Sequence, residues 1–147
     1  MNNISRAIIS SLALLTVSGT LAAQERVGDF SLLDHKGYHH GMSWYDDHAS
    51  IALLVQANDS AAAAAAVSEF DALKSKYDEQ GIEFFMINPM GRHNREAVGE
   101  KLAEYGVDIP VLMDDARMIS ESLGITHTGQ VLLFDPDRFV VTYRGTV

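Results

Sequence analysis

Two short apolar runs, Ile51-Ala52-Leu53-Leu54-Val55 and Ile82-Glu83-Phe84-Phe85-Met86-Ile87, bracket a stretch rich in alanine. Apolar runs of this length, with almost no polar alternation, suit strands buried on both faces of a parallel sheet. Parallel neighbours need a long crossover, usually a helix. The stretch between them supplies one. Ala61–Ala66 is six consecutive residues of the best helix former, and Val67, Phe70, Leu73 and Tyr77 continue it at helical spacing. The pattern predicts a helix from about Ser60 to Gln80, capped by Asp59 or Ser60 and closed by Gly81.

The remaining segments read in the same way. Asn88-Pro89-Met90-Gly91 is a loop, and Asn94 to Tyr105 carries Val98, Leu102 and Tyr105 on one helical face. Ile109–Leu112 is a short extended piece. Asp114 or Asp115 is expected to cap a helix holding Met118, Ile119 and Leu123, with Gly124 at its end. Gln130–Phe134 and Phe139–Tyr143 form a hairpin across Asp135-Pro136-Asp137-Arg138. Phe30–Asp34 and a Lys36-Gly37 turn suggest a further N-terminal strand pair. The order predicts an α/β fold, a central mixed sheet flanked by helices.

The first residues have the layout of an export signal. Arg6 is followed by the uncharged run Ala7–Ala23, which closes on Thr20-Leu21-Ala22-Ala23 before Glu25-Arg26. Residues 1–22 are expected to be removed as a signal peptide, leaving one domain over 23–147 in the periplasm or outside the cell. The run is broken by Ser10, Ser11, Thr16, Ser18 and Gly19, which argues against a membrane anchor. The chain has 11 basic and 20 acidic residues, a net charge of −9, and the loss of Arg6 makes it −10. Such a surface repels phosphate backbones and anionic lipid, so neither nucleic acid nor a membrane is an expected partner after cleavage. The chain contains no cysteine. Export permits disulfides, yet here stability must come from packing.

Several segments carry a family pattern. They are Val27-Gly28-Asp29-Phe30 with Leu32-Leu33-Asp34, Gly81-Ile82-Glu83-Phe84 leading to Ile87-Asn88, and Ile109-Pro110-Val111-Leu112-Met113-Asp114. Leu132-Leu133-Phe134-Asp135-Pro136 and Tyr143-Arg144-Gly145 complete it. In this order the segments resemble the alkyl hydroperoxide reductase/thiol-specific antioxidant (redoxin, peroxiredoxin-like) branch of the thioredoxin-like superfamily, over nearly all of 23–147. The resemblance implies a thioredoxin-like fold. The family also continues past its Tyr-Arg-Gly into a last helix, whereas this sequence stops at Val147. One sheet face is therefore expected to be uncovered, because the chain is a fragment or because a partner covers it.

The resemblance places a reactive cysteine where this chain reads Asn58-Asp59-Ser60, with Asp59 at the cysteine's position. It places a cis-proline where this chain reads His127-Thr128-Gly129, with Gly129 at the proline's position. A carboxylate can cap a helix but cannot supply the thiolate that reduces peroxide. The six positions Asn58, Asp59, Ser60, His127, Thr128 and Gly129 therefore read as a vacated redox site. Asp59 is expected near His127. Substituting Asp59→Cys and Gly129→Pro together is expected to leave the fold intact.

Other chemistry is weaker. Four of the six histidines, His35, His39, His40 and His48, lie in the N-terminal part, and His39-His40 is the candidate metal pair. No histidine pair falls on a predicted helix, so solvated loop histidines explain them better. Ser43 and Ser60 have no nucleophile elbow around them, Arg92 and Arg95 flank a loop, and no phosphate-cradling glycine motif is present. Met86, Met90, Met113 and Met118 read as core fillers or loop residues. No cofactor is expected. The sequence thus predicts a redox-inactive exported module that binds a protein partner. The rival readings are an antioxidant oxidoreductase by family membership and metal binding at the histidines.

Overall fold

The computed structural model describes residues 25–57, 61–90 and 95–147. The expected signal segment lies outside the described residues, as do Asn58, Asp59, Ser60, Arg92 and His93.

In chain order the strands and helices are β1 (Glu25–Arg26), β2 (Ser31–Leu33), β3 (His39–Gly41), β4 (Ser50–Val55), α1 (Ala61–Tyr77), β5 (Ile82–Asn88), α2 (Arg95–Tyr105), β6 (Val111–Met113), α3 (Met118–Ser122), β7 (Gln130–Asp135) and β8 (Val140–Thr146). Short 3-10 turns follow β3 at Met42–Tyr45 and α1 at Asp78–Gln80. Among the described residues, six strands form one sheet in the order β1-β8-β7-β4-β5-β6. β4, β5 and β6 are parallel, β7 runs against them, and β8, antiparallel to β7, runs in their direction again. β2 and β3 form a separate hairpin.

The central strands separate two cores. On one face Val67 and Phe70 of α1 and Val98 and Leu102 of α2 pack on Ala52, Leu54, Phe84 and Met86. The rings of Phe70 and Phe84 meet edge to face at 5.2 Å. Burying Phe70 this fully is worth about 1.5–3 kcal/mol. On the other face Ile51, Leu53, Phe85 and Leu132 pack beneath Phe30, Met42 and Leu123. That face is covered by the β2–β3 hairpin and the short α3 rather than by two long helices. Alternate residues of β4 thus serve opposite cores, which is why its sequence shows no polar alternation.

Three details depart from expectation. β1 was not foreseen; it pairs Glu25 with Val141 and Arg26 with Val140 at the edge of β8. α3 is capped indirectly. Arg117 precedes it in a left-handed conformation, φ 60°, and the Asp114 carboxylate reaches over it to accept from the Ser120 amide and hydroxyl, each at 2.6 Å. Of the methionines read as core or loop, Met86 and Met113 are buried, but Met90 and Met118 are exposed. Met118 sits on the outward face of a helix too short to bury both sides.

An apolar hollow of about 300 Å³ opens between α1 and β7, lined by Phe70, Leu73, Tyr77, Val131 and Leu133.

Candidate functional site

β4 and β5 run parallel and end at Val55 and Asn88, and the antiparallel β7 starts beside the end of β4. The turn leading into β7 therefore lies at the carboxyl end of the parallel strands. That is where open α/β sheets hold their ligand crevices. The contact is direct: the Gly129 amide donates to the Val55 carbonyl at 2.8 Å. The topology thus brings the His127-Thr128-Gly129 turn to the point where the chain leaves β4 toward residues 58–60. The position of Asp59 relative to His127 lies outside the described residues.

Buried polar side chains form the floor of this end. Gln56, just beyond β4, is 1% exposed and accepts from Asn88 Nδ2 at 3.2 Å. Asn88 Oδ1 accepts from the Met90 amide, and its carbonyl accepts from the Asp114 amide. Gln130 Oε1 accepts from the Thr126 amide at 3.0 Å. These bonds join the ends of β4, β5 and β6 to both neighbouring loops. Among the described residues no buried side-chain nitrogen or oxygen lacks a partner. The floor is therefore self-satisfied in its hydrogen bonding.

Above the floor is an open pocket of about 160 Å³, bounded by Val55, Met90, Arg117, Glu121, Thr126 and His127. Its rim combines one cation, one carboxylate, an imidazole and an exposed thioether. His127 is exposed, with Nδ1 at 2.9 Å from the Thr126 hydroxyl. Thr128 and Gly129 open onto a second hollow beside Ala62, Ala66 and Val147. Met90, Arg117 and Glu121 were not anticipated as site residues, because nothing in their local sequence marks them. Only their place after strand ends could have drawn attention to them.

Gly129 corrects one expectation. Its φ is +82°, a region closed to proline, whose ring fixes φ near about −65° and removes the N–H that bonds Val55. Gly129→Pro is incompatible with this turn.

The N-terminal histidines divide. His39 packs against Trp44 in a tilted contact, ring centroids 5.0 Å apart and planes at 54°. His40 uses both ring nitrogens: Nε2 lies 3.0 Å from Asp34 Oδ2 and Nδ1 lies 2.9 Å from the Tyr45 hydroxyl. With the Asp34 carboxylate as acceptor, Nε2 carries a proton. His40 is thereby tied into a hydrogen-bonded chain and is a poor metal ligand. Among the described residues no group of three His, Asp or Glu side chains is placed to hold a metal. Burial raises the Asp34 pKa, but hydrogen bonds from His40, the Tyr38 amide and the Lys36 amide, with the charge of His40, outweigh it and hold the carboxyl below its ordinary value. Burial, then the charges of Glu83 and Asp34, push the Tyr45 phenol up. This chain ties the turn, β3 and the 3-10 turn after it together, and the His40 and Tyr45 rings meet Phe85 of β5 edge to face.

The comparisons with known proteins follow the same lines. The AhpC/TSA family model matches residues 23–147. No curated protein matches the chain. Among solved structures, a hypothetical protein of Sinorhizobium meliloti superposes with a TM-score of 0.73 at 20% identity, covering 87% of this chain and 72% of its own. Peroxidoxin BcpB from Mycobacterium tuberculosis gives 0.71 at 16%, covering 84% of each chain. A secreted disulfide oxidoreductase of the same organism gives 0.65 at 11%, covering 80% and 83%. At such identities the likeness concerns the fold, which is thioredoxin-like. The chain belongs to the AhpC/TSA family, and it keeps that family's frame without a single cysteine.

Proposed function

We propose that this chain is an exported redoxin-domain protein that has left thiol redox chemistry and acts as a binding module for a protein partner. The observation that carries the reading is the absence of cysteine from a sequence whose match to the family spans 23–147. Thiol peroxidase and disulfide exchange both need a thiolate nucleophile, and no other residue of the pocket substitutes for one. Arg117, Glu121 and His127 supply charge and hydrogen bonding, while Met90, half exposed at 52%, supplies an adaptable apolar contact. Mixed polar and soft apolar rims of this kind suit protein recognition. Export is supported by the N-terminal layout and is in keeping with the secreted neighbour.

The family match also supports an antioxidant role as the rival reading. The two separate on binding. Chemical cross-linking in the exported fraction should trap a discrete partner on the wild-type chain. That product should be lost in Met90→Asp and Arg117→Glu variants that remain folded. A product unchanged in both variants would remove the pocket from the account.

A further inference from the structure

His35 lies in the turn between β2 and β3 and is only 8% exposed. Its backbone N–H donates to the Val111 carbonyl at 2.9 Å, and the Val111 N–H donates back to His35 Nδ1 at 3.2 Å. Val111 begins β6, the last strand of the sheet on this side. One edge of β6 pairs with β5. On the other edge, where a further strand would lie, stands the turn. Asp34 forms an isolated antiparallel bridge with Leu112, and the Lys36 ammonium reaches Asp108 at 2.8 Å. A ring nitrogen thus occupies the place of a strand carbonyl.

That substitution has a chemical condition. Nδ1 accepts a hydrogen bond only while it carries no proton, so the ring must be neutral with its hydrogen on Nε2. In the imidazolium both nitrogens are donors. The Val111 N–H would then face another N–H in a buried place and have no acceptor.

The surroundings do not compensate for a charge here. In the turn, Asp34 and Lys36 flank the ring. Ahead of β6 stands Asp108, and α2 presents Gly99 to the ring, with Arg95 at its start beside Gly37. The Asp34 carboxylate is already engaged by His40 and two amides, and Asp108 by Lys36. Burial dominates, with a smaller contribution from Lys36, and holds the imidazole below its ordinary 6.5 against the opposing pull of Asp34 and Asp108. The unfolded or opened chain therefore takes up the proton first. The contribution of this contact is complete above the ordinary value and is lost as pH falls from 6.5 toward the folded value.

We propose that His35 is an acid-sensitive latch: its neutral ring closes the outer edge of β6, and protonation frees that edge while the centre of the sheet stays folded. An exported protein meets the pH of its surroundings directly, and a freed strand edge is a ready template for pairing with another chain.

Amide hydrogen exchange on the intact protein tests this at about pH 7.5 and about pH 5.0, which bracket the ordinary histidine range. After correction for intrinsic exchange, protection of the Val111 and His35 amides should fall by about tenfold or more on acidification, while Leu53 and Leu132 in the central strands keep theirs. In His35→Asn the carboxamide oxygen stands near the place of Nδ1 and does not titrate in this range, so the loss should disappear. Unchanged protection of Val111 in the wild-type protein would overturn the latch. So would an equal loss at Leu53 and Leu132, or an equal loss in the variant.

Discussion

The amide of Gly129 donates a 2.8 Å hydrogen bond to the carbonyl of Val55, and this fastens the turn before β7 to the end of β4. The same glycine has φ +82° and nothing within 4 Å of where a Cβ would stand. Conformation and hydrogen bonding constrain this position, and space does not.

That distinction gives the first prediction. Gly129→Ala keeps the N–H and meets no atom, so it should cost only the left-handed strain, about 1–2 kcal/mol. Gly129→Pro loses the bond as well as the conformation and should cost about 3 kcal/mol or more. Urea titration of the two variants checks this. Equal midpoints would contradict the turn geometry described above.

Asp34 is expected to contribute to the acid limb of stability. Its folded-state pKa lies below the ordinary 3.8 because the hydrogen bonds from His40, Tyr38 and Lys36 and the charge of His40 outweigh burial. The stabilisation is therefore complete above about pH 4 and is lost as pH falls below 3.8 toward the folded value. Asp34→Asn keeps one acceptor oxygen but turns an NH2 toward His40 or toward the amides. It should cost about 1–3 kcal/mol at neutral pH and flatten the acid limb. Chemical denaturation across the acid range measures both effects. A variant with wild-type stability and an unchanged acid limb would remove Asp34 from this role.

Much of the frame was legible in the sequence because burial leaves a one-dimensional trace. The apolar runs of β4 and β5, the alanine-led α1 and the hairpin of β7 and β8 all appear close to where they were expected. What was hidden depends on contacts remote in sequence. β1 is two residues, one acidic and one basic, and exists only because β8 offers an edge. His35 looks like any loop histidine until Val111, 76 residues away, uses its ring as an acceptor. His40 was a metal candidate until Asp34 and Tyr45 claimed both its nitrogens. The resemblance implied that Asp59 meets the turn holding His127; residue 59 lies outside the described residues, and the structure shows the turn bonded to the end of β4. The left-handed glycine, and Arg117 and Met90 on the pocket rim, were not legible, since no local pattern encodes a shared rim.

Export predicts a defined mature terminus. On the proposed export, Arg6, the apolar block that follows and Thr20-Leu21-Ala22-Ala23 give an expected cleavage after Ala22 or Ala23. Mass spectrometry of the exported protein should find a chain beginning at Ala23 or Gln24. An exported form that retains Met1 would contradict the reading.

The account rests most heavily on the loss of thiol chemistry from a chain that retains the family frame. The most direct measurement is peroxide consumption by the purified mature chain, with a dithiol donor, in buffer stripped of metals. The account predicts a rate indistinguishable from buffer with donor alone, since no thiolate is available to attack the peroxide. Sustained turnover proportional to protein concentration would contradict it and would place peroxide chemistry on residues other than cysteine.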